Sequence, residues 1–382
     1  TAGAVVAIKD YANTFDSNGV TLVQNGSDKI GGSTVNGILT VEGIAVTLVY
    51  VDSTQGWLVT DSGLQSEAPT ALYVTATGGT PTTSPCGDYR IHTFTGPGAL
   101  CVSCAGNPAG SALVDYLVVG GGGGGGSAAP GNTGAAGGAG GFRESPGTAS
   151  GSYTVSPLGV SPAVALSVSV QPYTIQIGGG GPGGPSDSAK GVNGGLSSFS
   201  TITSAGGGGG GSNGNRAGSP GGSGGGGAGG SYNQPGGSGN TPSVSPAQGT
   251  NGGNSSPGPS GPDGGSGGGG GAIEAGVFGT PSPATSGRGG AGTTTSINGS
   301  SLAFAGGGGG GSYPATTPGS GSPCGTGGAG GNPVLGPLSN SVAGTINRGG
   351  GGGGAGGDPS GATGIGANGG SGIVIVRYKF QN

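Results

Sequence analysis

Four cysteines and one histidine are the residues of this 382-residue chain that could bind a metal or attack a substrate. Cys101-Val-Ser-Cys104 has the CxxC spacing of zinc and redox sites, and Cys86 could add a third sulfur. A structural zinc site needs further ligands, and His92 is the only histidine. Disulfides or free buried thiols are therefore favoured, with a bridge from Cys86 to Cys101 or Cys104 the leading pairing. The state of Cys324 stays open, and no metal or cofactor is expected.

The other common catalytic arrangements also lack their residues. Ser-His-Asp and Cys-His catalysis would both depend on His92, which lies in an alternating strand-like segment and is expected to be a half-exposed structural residue. Glycoside cleavage needs paired carboxylates, and the 14 acidic residues are dispersed, although spacing alone does not exclude a pair. Matches to GxGxxG arise by chance in glycine tracts, and none follows a strand, opens a helix and precedes a suitable acid. The sequence therefore predicts a protein that is not an enzyme.

The charge pattern excludes two classes of partner. The chain carries 10 Lys and Arg against 14 Asp and Glu, and the basic residues of its second part are scattered singly. Nucleic-acid binding ordinarily needs a clustered basic patch. No apolar run approaches the roughly 20 residues of a membrane helix. We expect neither a nucleic-acid partner nor membrane insertion, and the start at Thr1-Ala-Gly-Ala-Val-Val without Met favours a piece of a longer chain.

Glycine dominates the second part of the chain. The sequence has 108 Gly and 27 Pro, together 135 of 382 residues, a proportion typical of collagen or of disorder. The glycines form blocks without a Gly-X-Y period, which excludes collagen, and the net charge of -4 is lower than disordered chains usually carry. Residues 1–115 hold 16 glycines, which leaves 92 for residues 116–382. This change in composition predicts a boundary near residue 115.

The first part is predicted to be all-β. Short runs rich in β-branched residues alternate with turn residues, at 5–8, 19–23, 37–41, 45–51 and 55–59. Asn25-Gly26 is a strong hairpin dipeptide, residues 29–32 form another turn, and Tyr50 and Trp57 are the expected core aromatics. Residues 1–65 are therefore predicted to form a small all-β module.

Residues 66–115 are predicted to be a β connector. A hairpin is expected there, in which residues 89–94 turn at 96–98 and return through 100–103. Ile91 and Phe94 would then share one core.

The glycine blocks recur in a repeated unit in which an apolar stretch runs into glycines and a polar loop follows. Four blocks have such a lead-in, at 120–126, 206–211, 306–311 and 349–354. Two further blocks, at 224–227 and 267–271, lack it. A polyproline-II-like helix has three residues per turn and no internal hydrogen bonds, so glycine helices can pack closely and bond laterally. Residues 116–382 are therefore predicted to form packed polyglycine-II-type helices with a few short strands, no α-helix, and a closing strand at 372–380. The alternative, a flexible or silk-like tract, does not explain the apolar lead-ins.

Two parts of the sequence resemble proteins of phage tails. Residues 6–11, 25–27, 46–52 and 56–57 resemble a small β-module of phage tail fibres. Val-Asp-Tyr-Leu-Val-Val at 114–119, and residues 370–378 at the other end, resemble the glycine-rich domain of phage tail proteins, especially of marine and cyanobacterial phages. The resemblance implies a sandwich of polyglycine II helices in the virion, outside the cell, whose distal loops touch the host surface.

Recognition is then expected in the loops between the glycine blocks. The partner would be a host surface glycan or outer-membrane protein, beside other tail fibre and virion proteins, and a homo-oligomer, with a trimer favoured, is expected. The candidate contact residues are Arg216, Tyr232, Asn233, Gln234, Phe278 and Tyr313. Two alternatives stay open: the aromatic residues could merely cover the edges of the glycine slab, or the chain could be a purely structural filament subunit whose terminal strand pairs with itself.

Overall fold

The computed structural model describes residues 2–64, 71–84, 87–108, 110–151, 153–186, 188–214, 216–257, 264–281, 284–314, 317–332, 341–357 and 363–381. These residues form β-strands, loops and extended glycine-rich segments without any helix, which confirms the predicted absence of α-structure. A helix of the length and apolar character needed to cross a membrane is accordingly absent from the described ranges. The chain divides into two compact units, Thr1–Ala71 and Leu72–Asn382.

The first unit contains the strands that the sequence predicted. They are β1 (Val5–Lys9), β2 (Val20–Leu22), β3 (Gly37–Leu39), β4 (Ile44–Asp52) and β5 (Gly56–Leu64). One antiparallel sheet has the order β1-β4-β5, and β2 pairs with β3. Tyr50 and Trp57 are half-buried cross-strand neighbours whose ring centroids lie 5.5 Å apart, edge to face.

The two turns predicted in this unit differ in kind. Ile30 and Ser33 exchange backbone hydrogen bonds around Gly31-Gly32, which have φ of 60° and 76°. Positive φ at both central residues is the signature of a tight hairpin turn, and glycine adopts it without strain. Asn25-Gly26 instead turns the chain inside the longer connection between β2 and β3, so the hairpin predicted at this dipeptide is wrong.

The second unit begins with two facing sheets. Its strands are β6 (Val74–Thr77), β7 (Thr80–Thr83), β8 (Tyr89–Phe94), β9 (Gly98–Ala105), β10 (Leu113–Val119), β11 (Phe142–Glu144), β12 (Leu166–Ser167), β13 (Pro172–Gln176), β14 (Ser197–Phe199), β15 (Ile202–Ser204), β16 (Thr280–Pro281), β17 (Ala284–Thr285), β18 (Thr293–Thr295), β19 (Leu302–Phe304) and β20 (Ile373–Lys379). One sheet has the order β11-β10-β20-β8-β7, with β12 also on β10, and the other has the order β15-β14-β13-β9-β6. Buried residues of both sheets form one core between them, including Phe94, Leu100, Tyr116, Phe199 and Val376.

The hairpin predicted within residues 89–103 is wrong. Strand β8 lies between β20 and β7 in one sheet, whereas β9 lies between β13 and β6 in the other. Because side chains alternate along a strand, Ile91 and Phe94 point to opposite faces, and each belongs to a different hydrophobic cluster. Strands β6 to β9 are thus built into the same unit as the glycine segments instead of forming a separate connector.

The terminal strand predicted at 372–380 is present as β20. It pairs with β10 on one side and with β8 on the other, and both of its faces are buried. Burial on both faces explains the continuous apolar run Ile-Val-Ile-Val. Since both edges are occupied within the chain, the self-pairing terminal strand expected for a filament subunit is wrong.

The glycine segments extend from the sheets and bond with a period of three residues. Successive N–H groups of segment 120–128 donate in rotation to segments 135–141, 189–195 and 364–370, at 2.8–3.1 Å. Carbonyl groups of the same segment accept from three further neighbours, at residues 181–184, 207–210 and 352–355. Six neighbours therefore satisfy the backbone of one buried segment, which has no side chains beyond β-carbons and Ser127.

The segments run alternately away from the sheets and back toward them. Residues 120, 141, 205 and 349 lie at one level beside the strands, and we call this level the proximal end. Residues 126, 134, 211, 311 and 355 lie at the opposite level, where Gly311 donates to Gly134, Gly134 to Ala355 and Ala355 to Gly126. We call this level the distal end.

Candidate binding surface at the distal end

The predicted contact residues belong to connections at the distal end. The Arg216 carbonyl accepts from the Ala228 N–H at 2.7 Å, immediately before residues 232–234. Tyr313 follows Gly311, and Phe278 precedes Gly279, whose N–H donates to the Asn254 carbonyl at 3.0 Å. The fold therefore brings residues from four connections to one end of the glycine segments.

Three of these residues are open to a partner. Tyr232 is 67% exposed and Phe278 is 59% exposed, and Asn233 is exposed beside Tyr232. Large aromatic side chains with this much free surface are the residue type that dominates binding energy at protein interfaces. Their backbone is held by the bonded segments beneath, so little conformational freedom would be lost there on binding.

The other three residues are half-buried. The Gln234 N–H donates to Ser255 Oγ, and the Gln234 carbonyl accepts from the Ser255 N–H, both at 2.9 Å. These two hydrogen bonds anchor the connection. Tyr313 lies against the backbone of another segment, because a β-carbon at Gly357 would lie 3.2 Å from its Cδ2 atom. For Gln234 and Tyr313 the geometry thus favours a structural role at the edge of the segments.

Of the two terminal nitrogens of Arg216, one makes a hydrogen bond and the other makes none. Its Nη2 donates to Asn213 Oδ1 at 2.9 Å, whereas its Nη1 is buried and makes no hydrogen bond. A β-carbon on Gly230 would lie 2.2 Å from that Nη1 and 2.5 Å from Asn132 Oδ1, so both groups lie against Gly230. The sequence did not single out Asn132 or Asn213, because polar residues of separate connections meet only in the folded chain.

The cysteines form no metal centre in the described part of the chain. Cys101, Cys104 and Cys324 carry free thiols, and the described residues contain no group of three or more potential His, Cys, Asp or Glu ligands. Cys324 Sγ lies 3.0 Å from Ser322 Oγ and 3.2 Å from Thr326 Oγ1. Cys86, the bridging partner expected from the sequence, lies outside the described residues.

His92 is buried, so the expectation of a half-exposed residue is wrong. Its Nδ1 lies 2.7 Å from the Gly78 carbonyl oxygen and its Nε2 lies 2.9 Å from the Tyr378 hydroxyl. The imidazole ring also stacks on the Tyr378 ring. The carbonyl can only accept, so Nδ1 carries the proton and Nε2 accepts from Tyr378. Burial lowers the pKa of His92 from its ordinary value of 6.5, against the opposing effect of the Gly78 carbonyl.

This geometry predicts that acid destabilises the fold. Below pH 6.5 the unfolded chain binds a proton at His92 that the folded chain does not, so the free energy of unfolding falls. The slope from this one group is limited to about 1.4 kcal/mol per pH unit, the value for a difference of one bound proton. Urea unfolding between pH 8 and pH 5.5 measures it, and His92→Gln, which removes the only histidine, should flatten the profile. Parallel profiles for the two proteins would contradict the assignment.

A second polar cluster is closed inside the unit. Asp115 accepts from Ser145 Oγ at 2.7 Å and from Ser150 N and Oγ at 2.7 and 2.6 Å. Glu144 accepts from the N–H of Ser156 at 2.9 Å, and burial raises the pKa of its carboxyl. Both carboxylates are almost completely shielded, at 0% and 2% exposure, which favours a role in holding the connection after β11.

Arg377 completes this cluster. It faces Asp115 across the β10–β20 pair and lies over the rings of Tyr89 and Tyr153, at 4.8 and 5.2 Å. The cluster was not predicted from the sequence, although each charge interrupts an apolar strand run, Asp115 in Leu-Val-Asp-Tyr-Leu-Val-Val and Arg377 in Ile-Val-Ile-Val-Arg-Tyr.

Facing sheets continued by laterally bonded glycine segments define a class of glycine-rich β protein. Comparison with protein families places residues 102–379 in a glycine-rich domain family, and the chain belongs to that family. The matched range begins within β9 and ends with β20, so it includes strands of both sheets together with the segments between them. Comparison with curated proteins found no match.

Proposed function

We propose that the glycine segments form a bundle of polyglycine-II-type helices. The rotation of hydrogen bonds with a period of three residues supports this proposal, because a polyproline-II-like helix turns once in three residues. The six neighbours around segment 120–128 give the same support, since a bundle of equal rods places six neighbours around each inner rod.

On this scaffold we infer that the chain is the distal, receptor-binding part of a phage tail fibre, located in the virion outside the cell. The single observation that carries the binding role is the convergence of separate connections at the distal end, with Tyr232, Asn233 and Phe278 exposed beside hydrogen-bonded glycine segments. The sheets and their connections lie at the proximal end, which favours the distal end as the contact face for a large partner such as the host surface. The tail fibre assignment rests on the sequence resemblance, and the partner would be a host surface glycan or an outer-membrane protein.

Self-association would involve the first unit. Its small sheets leave several apolar side chains in solvent, among them Val5 at 61%, Ile38 at 64% and Val59 at 57% exposure. Exposed apolar surface of this kind is typical of protein interfaces. It supports a homo-oligomer, for which a trimer remains the favoured stoichiometry, alongside other fibre or virion proteins. The proposal assigns the chain no catalysis and no cofactor.

Adsorption blocking tests the binding role. Purified protein should bind host cells and compete with phage adsorption, and Tyr232→Ser combined with Phe278→Ser should weaken competition at least about tenfold, since central aromatic residues often contribute 2 kcal/mol or more. Tyr11→Ser is the matched control, because Tyr11 is 97% exposed but belongs to the first unit.

The outcome of that experiment separates the alternatives. Equal competition by the double variant and the control would exclude these aromatic residues as contacts. Failure of the unchanged protein to bind host cells, with continuous polymers in negative-stain micrographs, would favour the purely structural filament subunit instead.

A further inference from the structure

A cavity of about 280 Å³ lies at the proximal end, away from the distal connections. Its floor is apolar and comes from β20 and the β18–β19 hairpin, with Ile373, Ile375, Leu302 and Phe304. Its polar lining comes from three places, with Thr93 in β8 and Thr95 just after it, Asn298 in the hairpin turn, and Asn347 and Arg348 before segment 349–355. No acidic side chain lines it.

Arg348 is a cation without an anion in this cavity. Its guanidinium lies over the Phe304 ring at 4.8 Å, and its Nη1 is buried without a hydrogen-bond partner. Burial lowers the pKa of Arg348, since no carboxylate offsets the lost hydration. A buried donor left unpaired costs free energy, more so when it is charged. An acceptor brought by a ligand would remove that cost.

The backbone holds Arg348 in place before any ligand binds. Its N–H and that of Gly349 both donate to the Ser371 carbonyl, at 3.1 and 2.9 Å, and its own carbonyl accepts from the Ala305 N–H at 2.8 Å. The backbone of Arg348 is thus held from the strand side and from the hairpin side, and its guanidinium is packed on the Phe304 ring. Preorganisation of this kind reduces the entropy lost when a ligand binds.

Two amide groups beside Arg348 present donors to the same cavity. Asn298 Oδ1 accepts from the Ser300 N–H at 3.2 Å, and Asn347 Oδ1 accepts from Ser371 Oγ at 3.0 Å. These bonds occupy the oxygens and leave both Nδ2 groups as donors. The lining therefore offers a guanidinium fork, two amide donors and threonine hydroxyls above an apolar floor.

We propose that this cavity binds the carboxylate of an acidic sugar unit, of the uronic acid type. Arginine pairs with a carboxylate through two parallel hydrogen bonds, which a single sugar carboxylate can accept. The C–H face of the ring would lie on Ile373 and Leu302, and its hydroxyls would meet the asparagine and threonine side chains. The volume suits one sugar unit, since sites for larger ligands commonly exceed about 300 Å³. This site is independent of the distal binding surface.

Isothermal titration with sodium glucuronate tests the proposal on the full chain. Saturable binding is expected, with glucose and inorganic phosphate at least tenfold weaker, and Arg348→Gln should weaken glucuronate binding at least tenfold. Arg288→Gln is the matched control, because Arg288 is paired with Glu274 elsewhere on the unit and should bind as the unchanged protein does.

A second variant keeps the test independent of folding defects. Asn298→Asp places a carboxylate in the cavity itself, where it would pair with Arg348, so binding should be lost while the melting temperature rises. Absence of saturable glucuronate binding, equal binding by Arg348→Gln, or binding of glucose at equal strength would overturn the proposal. Preference for phosphate would overturn the assignment to a sugar carboxylate.

Discussion

Gly122→Ala is expected to abolish cooperative folding of the second unit or to lower its free energy of unfolding by about 3 kcal/mol or more. A β-carbon at Gly122 would lie 2.0 Å from the Gly350 carbonyl oxygen and 2.5 Å from its carbon. The obstacle is backbone that is bonded to further segments, so a rotamer change cannot relieve it. The neighbouring segment would have to move, and its own lateral bonds would be lost with it.

Gly179→Ala is the matched control for that substitution. Gly179 is exposed in a neighbouring outer segment, and a β-carbon there would meet nothing within 4 Å. Both variants exchange the same residue types and have similar effects on the unfolded chain. Urea unfolding followed by tryptophan-independent signals, such as far-ultraviolet circular dichroism, should show a near-normal transition for Gly179→Ala. Equal transitions for the two variants would refute close lateral packing, and no cooperative transition in the unchanged protein would favour a disordered tract.

Buried alanines among the glycine segments show how a methyl group is accommodated. Ala135, Ala136 and Ala139 are almost or completely buried in segment 134–141. The Ala136 N–H lies 3.4 Å from the Gly267 carbonyl oxygen, whereas the N–H groups of Gly137 and Gly138 reach their acceptors at 2.8 Å. The wider spacing is confined to Ala136, because the N–H groups of Ala135 and Ala139 reach their acceptors at 3.0 and 2.9 Å. A methyl group is therefore accommodated at positions where the neighbouring segment leaves room for it.

The sequence predicts those inner segments that consist of uninterrupted glycine, but not segment 134–141, which is buried although alanines interrupt it. The blocks at 120–126, 306–311 and 349–354 are buried along their whole length. Outer segments were not predicted, since one of their faces carries side chains and the blocks are broken. Their signal is glycine at every third position, as at Gly191 and Gly194 or at Gly276 and Gly279, whose β-carbons would meet neighbouring carbonyls at about 2 Å.

The candidate surface was predictable by residue type but not by position. Tyr232 and Phe278 stand out as aromatic residues in polar connections. Whether both lie at the distal end depends on how many times the chain reverses direction between them. Each reversal sends a segment toward or away from the sheets, and nothing local in the glycine pattern fixes that direction. The wrong hairpin at β8 and β9 has a similar cause, since a turn does not reveal which sheet the next strand joins.

Asp115→Ala is expected to lower the free energy of unfolding by about 3 kcal/mol or more, because the buried donors of Ser145 and Ser150 would lose their acceptor. Asp115 is completely buried, and its carboxylate accepts the bonds from Ser145 and Ser150 that join the connection after β11 to strand β10. Ser145 Oγ in turn accepts from the Tyr116 N–H at 3.0 Å, so the loss extends to the strand backbone. Arg377, its neighbour across the strands, would keep its charge in the interior.

Asp115→Asn removes the charge of this side chain but keeps its shape, so it measures the contribution of the charge to the free energy of unfolding. An amide nitrogen would replace one oxygen and face a hydroxyl or N–H donor of Ser150, so this variant should also lose more than about 2 kcal/mol. Asp61→Asn, at an exposed position in β5, is the control and should stay within about 0.5 kcal/mol of the unchanged protein. Urea midpoints measure all three variants. A small effect of Asp115→Asn would mean that the carboxylate does not hold the connection. Asp115 and Glu144 would then have to be tested as possible catalytic residues instead of structural ones.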